Sequence, residues 1–78
     1  MSDVEYRHFL SIARAAMEGG DAAWAVQSTG EKVAVALALN RADWLASMNY
    51  TMAEAIERAG PLWISLLPRV IRALETDA

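Results

Sequence analysis

Apolar residues recur at helical spacing along most of the chain. Over residues 2–18, Tyr6, Phe9, Leu10, Ala13 and Met17 fall on one stripe, and Arg7, Arg14 and Glu18 lie off it. Ser2 and Glu5 have capping-box spacing, in which each side chain satisfies an open backbone N–H at the helix start. Gly19 and Gly20 then stop the helix, because glycine adopts the left-handed cap without a steric penalty. Residues 21–29 read as a short helix capped by Asp21, with Trp24 as its anchor.

Residues 31–48 are the most apolar part. Valine and leucine alternate with alanine in "VAVALAL", which suits a strand, and residues 23–39 could form a hairpin. A helix accounts for more of the pattern. Lys32, Ala36, Asn40, Asp43 and Ser47 form one narrow polar or small stripe at 3.6-residue spacing, and alanine favours helix over strand. Ser28 and Glu31 supply a second capping box. A helix this apolar is predicted to be central, covered on most sides.

Asn49 is placed to end that helix, and Thr51 with Glu54 caps the next. Met52, Ala55, Ile56 and Ala59 form its predicted buried stripe. Gly60 stops it, and Pro61 suits the first position of a last helix. There Trp63, Leu66, Leu67, Val70, Ile71 and Leu74 keep phase across Pro68, which kinks or restarts the helix. The final Thr-Asp-Ala reads as a frayed tail. These elements predict an all-α fold: one domain over residues 1–78, a compact bundle of four or five short helices.

Composition narrows the function classes. A chain of 78 residues buries only roughly 60% of the surface its unfolded form exposes. Yet 55% of the residues are hydrophobic, and there is no cysteine to supply disulfides. Part of the apolar surface is therefore expected at an interface. The net charge of −3 argues against a nucleic-acid partner, which calls for a basic patch. No apolar run approaches the ~20 residues of a membrane span. The polar, acidic start is unlike a signal peptide, so the expected location is cytoplasmic.

Catalysis has little support in the pattern. His8 is the lone histidine, and only Ser11 and Asp3 stand near it in sequence. A general base needs an oriented partner and a nucleophile; the simpler reading is a solvated helix histidine. No ligand spacing suggests a metal, and no glycine pattern suggests a phosphate-binding loop. The expectation is a non-enzymatic protein without cofactor or small-molecule substrate.

The segment "LASMNYTMAEAIERA" resembles the helix-turn-helix of DNA-binding proteins. Ala46 lies in a first helix, Asn49 is the turn, Tyr50 the hydrophobe and Thr51 the cap. The spacing from Ala46 is one residue short, and the second helix presents Glu54 and Glu57 where phosphates call for Lys or Arg. Only Arg58 fits. The resemblance implies a transcription regulator using residues 44–60.

The stretches "AWAVQSTGEKVAVALALNRADWL" and "YTMAEAIERAG" resemble small bacterial and prophage-encoded helical proteins in style. That class implies an adaptor or an inhibitor that blocks a host protein, as anti-CRISPR proteins do.

The favoured reading is a protein-binding module, with a protein partner or a second copy as occupant. Alanines 34, 36, 38, 42 and 46 would let a neighbouring helix approach closely. The predicted contact residues are Trp24, Met48, Tyr50, Met52 and Arg58, since interfaces are enriched in Trp, Tyr, Met and Arg. Trp44 and Trp63 lie on apolar stripes and are predicted core. Arg69 and Arg72 read as a solvated face.

Overall fold

A computed structural model describes residues 2–77, with the side chains of residues 3–76. The predicted Ser2–Glu5 capping box and Ala78 fall outside those described residues. Four helices follow one another: α1 (Ser2–Ala25), α2 (Thr29–Ala38), α3 (Ala42–Ser47) and α4 (Met52–Asp77). The molecule is all-α, and among the described residues there is no strand, which removes the hairpin alternative. None of these helices is long and apolar enough to cross a membrane.

Two of the helices are internally broken, both at glycine. Gly20 (φ 68°, ψ −151°) interrupts α1, and Gly60 (φ 89°, ψ 161°) interrupts α4. Both conformations are ones an L side chain rarely adopts, so the predicted stops at these glycines hold. The piece after Gly20 ends at Ala25 rather than at Thr29. Thr29 instead opens α2, because Ser28 is its cap: Glu31 N donates to Ser28 Oγ (3.3 Å), and Ser28 N donates to Glu31 Oε1 (3.1 Å).

The single helix predicted over residues 31–48 is two helices. Asn40 takes the left-handed conformation (φ 56°) between them. Arg41 N donates to Ala36 O (2.8 Å) and Asn40 N to Leu37 O (3.2 Å). This paired closure satisfies the last carbonyls of α2, and asparagine is one of the few residues that tolerates it. The predicted polar stripe does not survive as a face, since Ala36 is buried and Asn40 sits on the turn. Alanines 34, 36 and 38 are buried in α2, which packs against both α1 and α4. Their small size serves packing inside the chain. Ala42 and Ala46 are exposed.

The break redirects α3 so that Trp44 meets Trp24. The two indoles stack with centroids 4.5 Å apart and planes 12° apart. Lys32 Nζ lies 4.8 Å from the Trp24 ring centre and Arg41 Cζ 4.1 Å from that of Trp44. Nothing fits between rings so close, so the cations cap the outer faces and form a four-layer stack. Both indole N–H groups are satisfied: Trp24 Nε1 donates to Lys32 O (2.9 Å) and Trp44 Nε1 to Asp21 Oδ1 (2.6 Å). Arg41 is held in turn by two bonds to Asp43 (3.0 and 2.8 Å), and its guanidinium holds the Asp43 carboxyl below the usual range.

The rest of the core joins Phe9, Ala13 and Ala16 of α1 to Val33 and Val35 of α2 and to Ala55, Leu66, Val70 and Leu74 of α4. Trp63 is half-buried and stacks on Phe9 (4.8 Å). Three predicted core residues lie outside it: Met17 (45% exposed), Met52 (51%) and Ile56 (47%). Ala16 takes the inward position near Met17, while Ala55 carries the inward face of the Thr51 helix. Helical spacing defines a stripe, but only packing decides which edge of a stripe is covered.

Pro68 neither kinks nor restarts α4 in its backbone angles, since Gly60 is the one residue in the helix with non-helical φ and ψ. Thr76 and Asp77 continue the helix rather than fray, and Thr76 Oγ1 donates to Arg72 O (2.9 Å).

Candidate functional site

The turn into α4 repeats the closure seen at Asn40. Asn49 is left-handed (φ 61°), with Asn49 N donating to Ala46 O (3.0 Å) and Tyr50 N to Leu45 O (3.0 Å). The predicted capping box follows: Thr51 N donates to Glu54 Oε1 (2.9 Å) and Glu54 N to Thr51 Oγ1 (3.1 Å). Two short-range devices therefore fix the direction of the first turns of α4.

Those first turns are poorly covered. Ala55 is buried and Ala59 half-buried, while Met52, Ala53, Glu54, Ile56, Glu57 and Arg58 are all exposed. One flank carries a hollow of about 510 Å³ lined by Asn49, Tyr50, Glu54, Glu57 and Arg58. Glu54 spends one oxygen on the cap. Glu57 and Arg58 make no hydrogen bond or ion pair among the described residues. Arg58 crosses the start of α2, where a methyl group on Gly30 would lie 3.4 Å from its Nη1. Met52 and Ile56, one helical turn apart, occupy the other flank.

The predicted contact residues are thus divided. Tyr50 and Arg58 line the same hollow. Met52 is exposed on the opposite flank, and Met48 is half-buried against the core. Trp24 offers no contact surface: it is 5% exposed and covered by Trp44. Asn49, Glu54, Glu57 and Ile56 complete the surface; Glu54 and Glu57 are the charged rim expected beside Tyr50, and Asn49 and Ile56 are not among the predicted contacts. Ile56 stands one turn from Met52, a spacing that fits a buried stripe and an exposed ridge equally well, and both residues are exposed.

His8 has an oriented partner after all. Its Nε2 lies 2.7 Å from Glu31 Oε2, across 23 residues, and its ring meets Trp63 edge-on at 6.0 Å. The hydrogen bond from His8, then that from Ser28 N, holds the Glu31 carboxyl below its ordinary value. The other oxygen of Glu31 is engaged by the cap, and Ser28 Oγ accepts from Glu31 N. The pair therefore fastens α1 to the start of α2 and aims no nucleophile. Arg69 and Arg72 do not act as a pair: Arg69 stacks on Tyr6 (4.1 Å). Among the described residues no three His, Cys, Asp or Glu side chains gather as a metal ion requires.

No family model matches the chain, and neither a curated protein nor a solved structure matches it significantly.

Proposed function

We propose that this chain is a small, non-enzymatic protein-binding module that acts in the cytoplasm as an adaptor or inhibitor. Its contact element is the first half of α4, and its specific contact is the hollow formed by Tyr50, Glu57 and Arg58. One observation carries this reading. A helix with both ends fixed leaves all but one or two of its residues open to solvent, and among them stand a cation, Arg58, and a carboxylate, Glu57, that have no partner among the described residues. A half-buried tyrosine beside unpaired charges is the composition of an adaptable contact.

The test is capture of partners from a bacterial lysate on the immobilised protein. One protein retained in stoichiometric amount, and lost with Tyr50→Ala and with Arg58→Glu, supports the reading. A retained protein indifferent to both substitutions removes the hollow as the contact.

The helix-turn-helix resemblance supports a second reading, a DNA-binding regulator. The segment does fold as helix, turn and helix. Its outward face, however, carries Glu54 and Glu57 against the single cation Arg58. Duplex binding at ~50 mM salt that is lost with Arg58→Ala would favour this alternative over the first.

A further inference from the structure

The net charge of −3 conceals a local excess of the opposite sign. Arg7 of α1 and Arg69 of α4 line one hollow of about 200 Å³, together with Tyr6 and Asp3. Both guanidinium groups are held by contacts that leave their charge unmatched. Arg69 Cζ lies 4.1 Å from the centre of the half-buried Tyr6 ring. An aromatic ring carries no net charge to neutralise the cation and no lone pair to use up its N–H donors. Arg7 Nε donates to the backbone oxygen of Asp3 (3.3 Å), which leaves its Nη donors open. Neither guanidinium has an ion pair among the described residues.

We infer that this hollow is an anion site for a single phosphoryl group, on free phosphate or on a phosphomonoester. Charge, shape and size select that class. The hollow gathers two fixed positive charges, and a phosphomonoester carries about −1.5 to −2 at neutral pH. A carboxylate presents its oxygens in one plane, which one guanidinium fork already fills. Two guanidinium groups arriving on different helices call for an anion with oxygens off that plane, as a phosphoryl group has. A volume of 200 Å³ equals that of roughly six or seven waters. That admits one phosphoryl group with part of its hydration, and lies below the ~300 Å³ at which sites for larger ligands begin.

The two arginines are also pre-organised. The ring beside Arg69 and the carbonyl beside Arg7 already restrict their rotamers, so binding an anion orders less than it would at a freely solvated arginine. Asp3 acts in the opposite sense. Its carboxylate lines the hollow and pairs with neither arginine, so it repels an incoming anion. Its removal is therefore expected to strengthen binding, a gain that a general loss of structure does not produce.

None of these residues lines the Tyr50 hollow, so the inference does not rest on the proposed protein contact. The experiment is an NMR titration of the isotope-labelled full chain with inorganic phosphate at neutral pH, against chloride at matched ionic strength. Saturable shifts centred on Tyr6, Arg7 and Arg69 are expected, in the millimolar range because both guanidinium groups are exposed. Arg7→Ala and Arg69→Ala should each weaken binding about fivefold, and the double variant should abolish it. Asp3→Asn should strengthen it. All three positions are exposed, and unchanged helix content by circular dichroism verifies folding. A neutral peptide bearing phosphoserine, run beside its unphosphorylated form, separates the two sources. Binding of free phosphate alone assigns the site to the inorganic ion; binding of the phosphopeptide as well assigns it to the group on a larger molecule. Shifts no larger than those from chloride overturn the inference. So do acetate binding as tight as phosphate, full binding by either arginine variant, and weaker binding by Asp3→Asn.

Discussion

Trp24 and Trp44, twenty residues apart in sequence, stack face to face at 4.5 Å and lock the end of α1 to α3. The stack exists because Asn40 breaks the chain between α2 and α3. It is finished by a cation on each side and by a partner for each indole N–H. Two buried tryptophans in an 8.5 kDa chain are a large share of its core.

Truncating either ring should therefore be severe. Trp24→Ala or Trp44→Ala is expected to cost about 3–5 kcal/mol, a large part of the stability of so small a domain. Urea denaturation followed by circular dichroism measures it. Trp44→Phe keeps a stacked ring and gives up only the bond to Asp21, whose exposed carboxylate still has water and Arg41 (3.6 Å) beside it, so a smaller loss of about 0.5–1.5 kcal/mol is expected. If Trp24→Ala left the midpoint unchanged, the stack would not be the staple described.

At Asn40 the left-handed backbone is the point at issue. Asn40→Ala should cost about 1–2 kcal/mol, and Asn40→Gly should be close to neutral. The alanine variant also offers the chain a chance to run α2 into α3 as one helix. Unchanged helix content by far-UV circular dichroism, with a lower denaturation midpoint, is the expected pair of results.

Pro68 lies in a helix whose backbone runs through it undeviated. The proline leaves Ile64 O without its helical donor and crowds that carbonyl. Pro68 is exposed, so Pro68→Ala restores the bond without altering the core. A gain of about 1–3 kcal/mol is expected, read as a higher thermal midpoint. A loss would show that Pro68 relieves a strain elsewhere.

Glu31 makes stability depend on acid. Its carboxyl titrates below the ordinary value of 4.5 in the folded chain, chiefly through the hydrogen bond to His8. As pH falls the unfolded chain takes up the proton first. The contribution is therefore complete above the ordinary value and lost as pH drops through the lower folded one. Glu31→Gln should flatten this part of the stability profile, and His8→Ala should flatten it less, because Ser28 N still holds the carboxylate. Denaturant midpoints measured from pH 7 down to pH 3 check both. Ser28→Ala, which removes the cap itself, should cost about 1 kcal/mol at neutral pH.

The chain's local chemistry was readable residue by residue. Ser28 with Glu31, Thr51 with Glu54, the stops at Gly20 and Gly60, and the turn at Asn49 each depend on groups within a few positions of one another, so spacing alone determines them. The all-α class followed from those caps and from helical periodicity. What spacing could not decide was which side of each stripe would be covered. Met17, Met52 and Ile56 carry the right periodicity for burial, yet a chain this small has too few neighbouring elements to cover every apolar edge. Nor could it show that Asn40, on an uninterrupted helical pattern, would turn left-handed, because the gain from doing so is collected at Trp24 and Asp21, far away in sequence. The same holds for His8 and Glu31, joined across 23 residues. Caps and turns are settled by neighbours along the chain. Burial, stacking and the exposed half of α4 are settled by neighbours in space, and these exist only once the helices have packed.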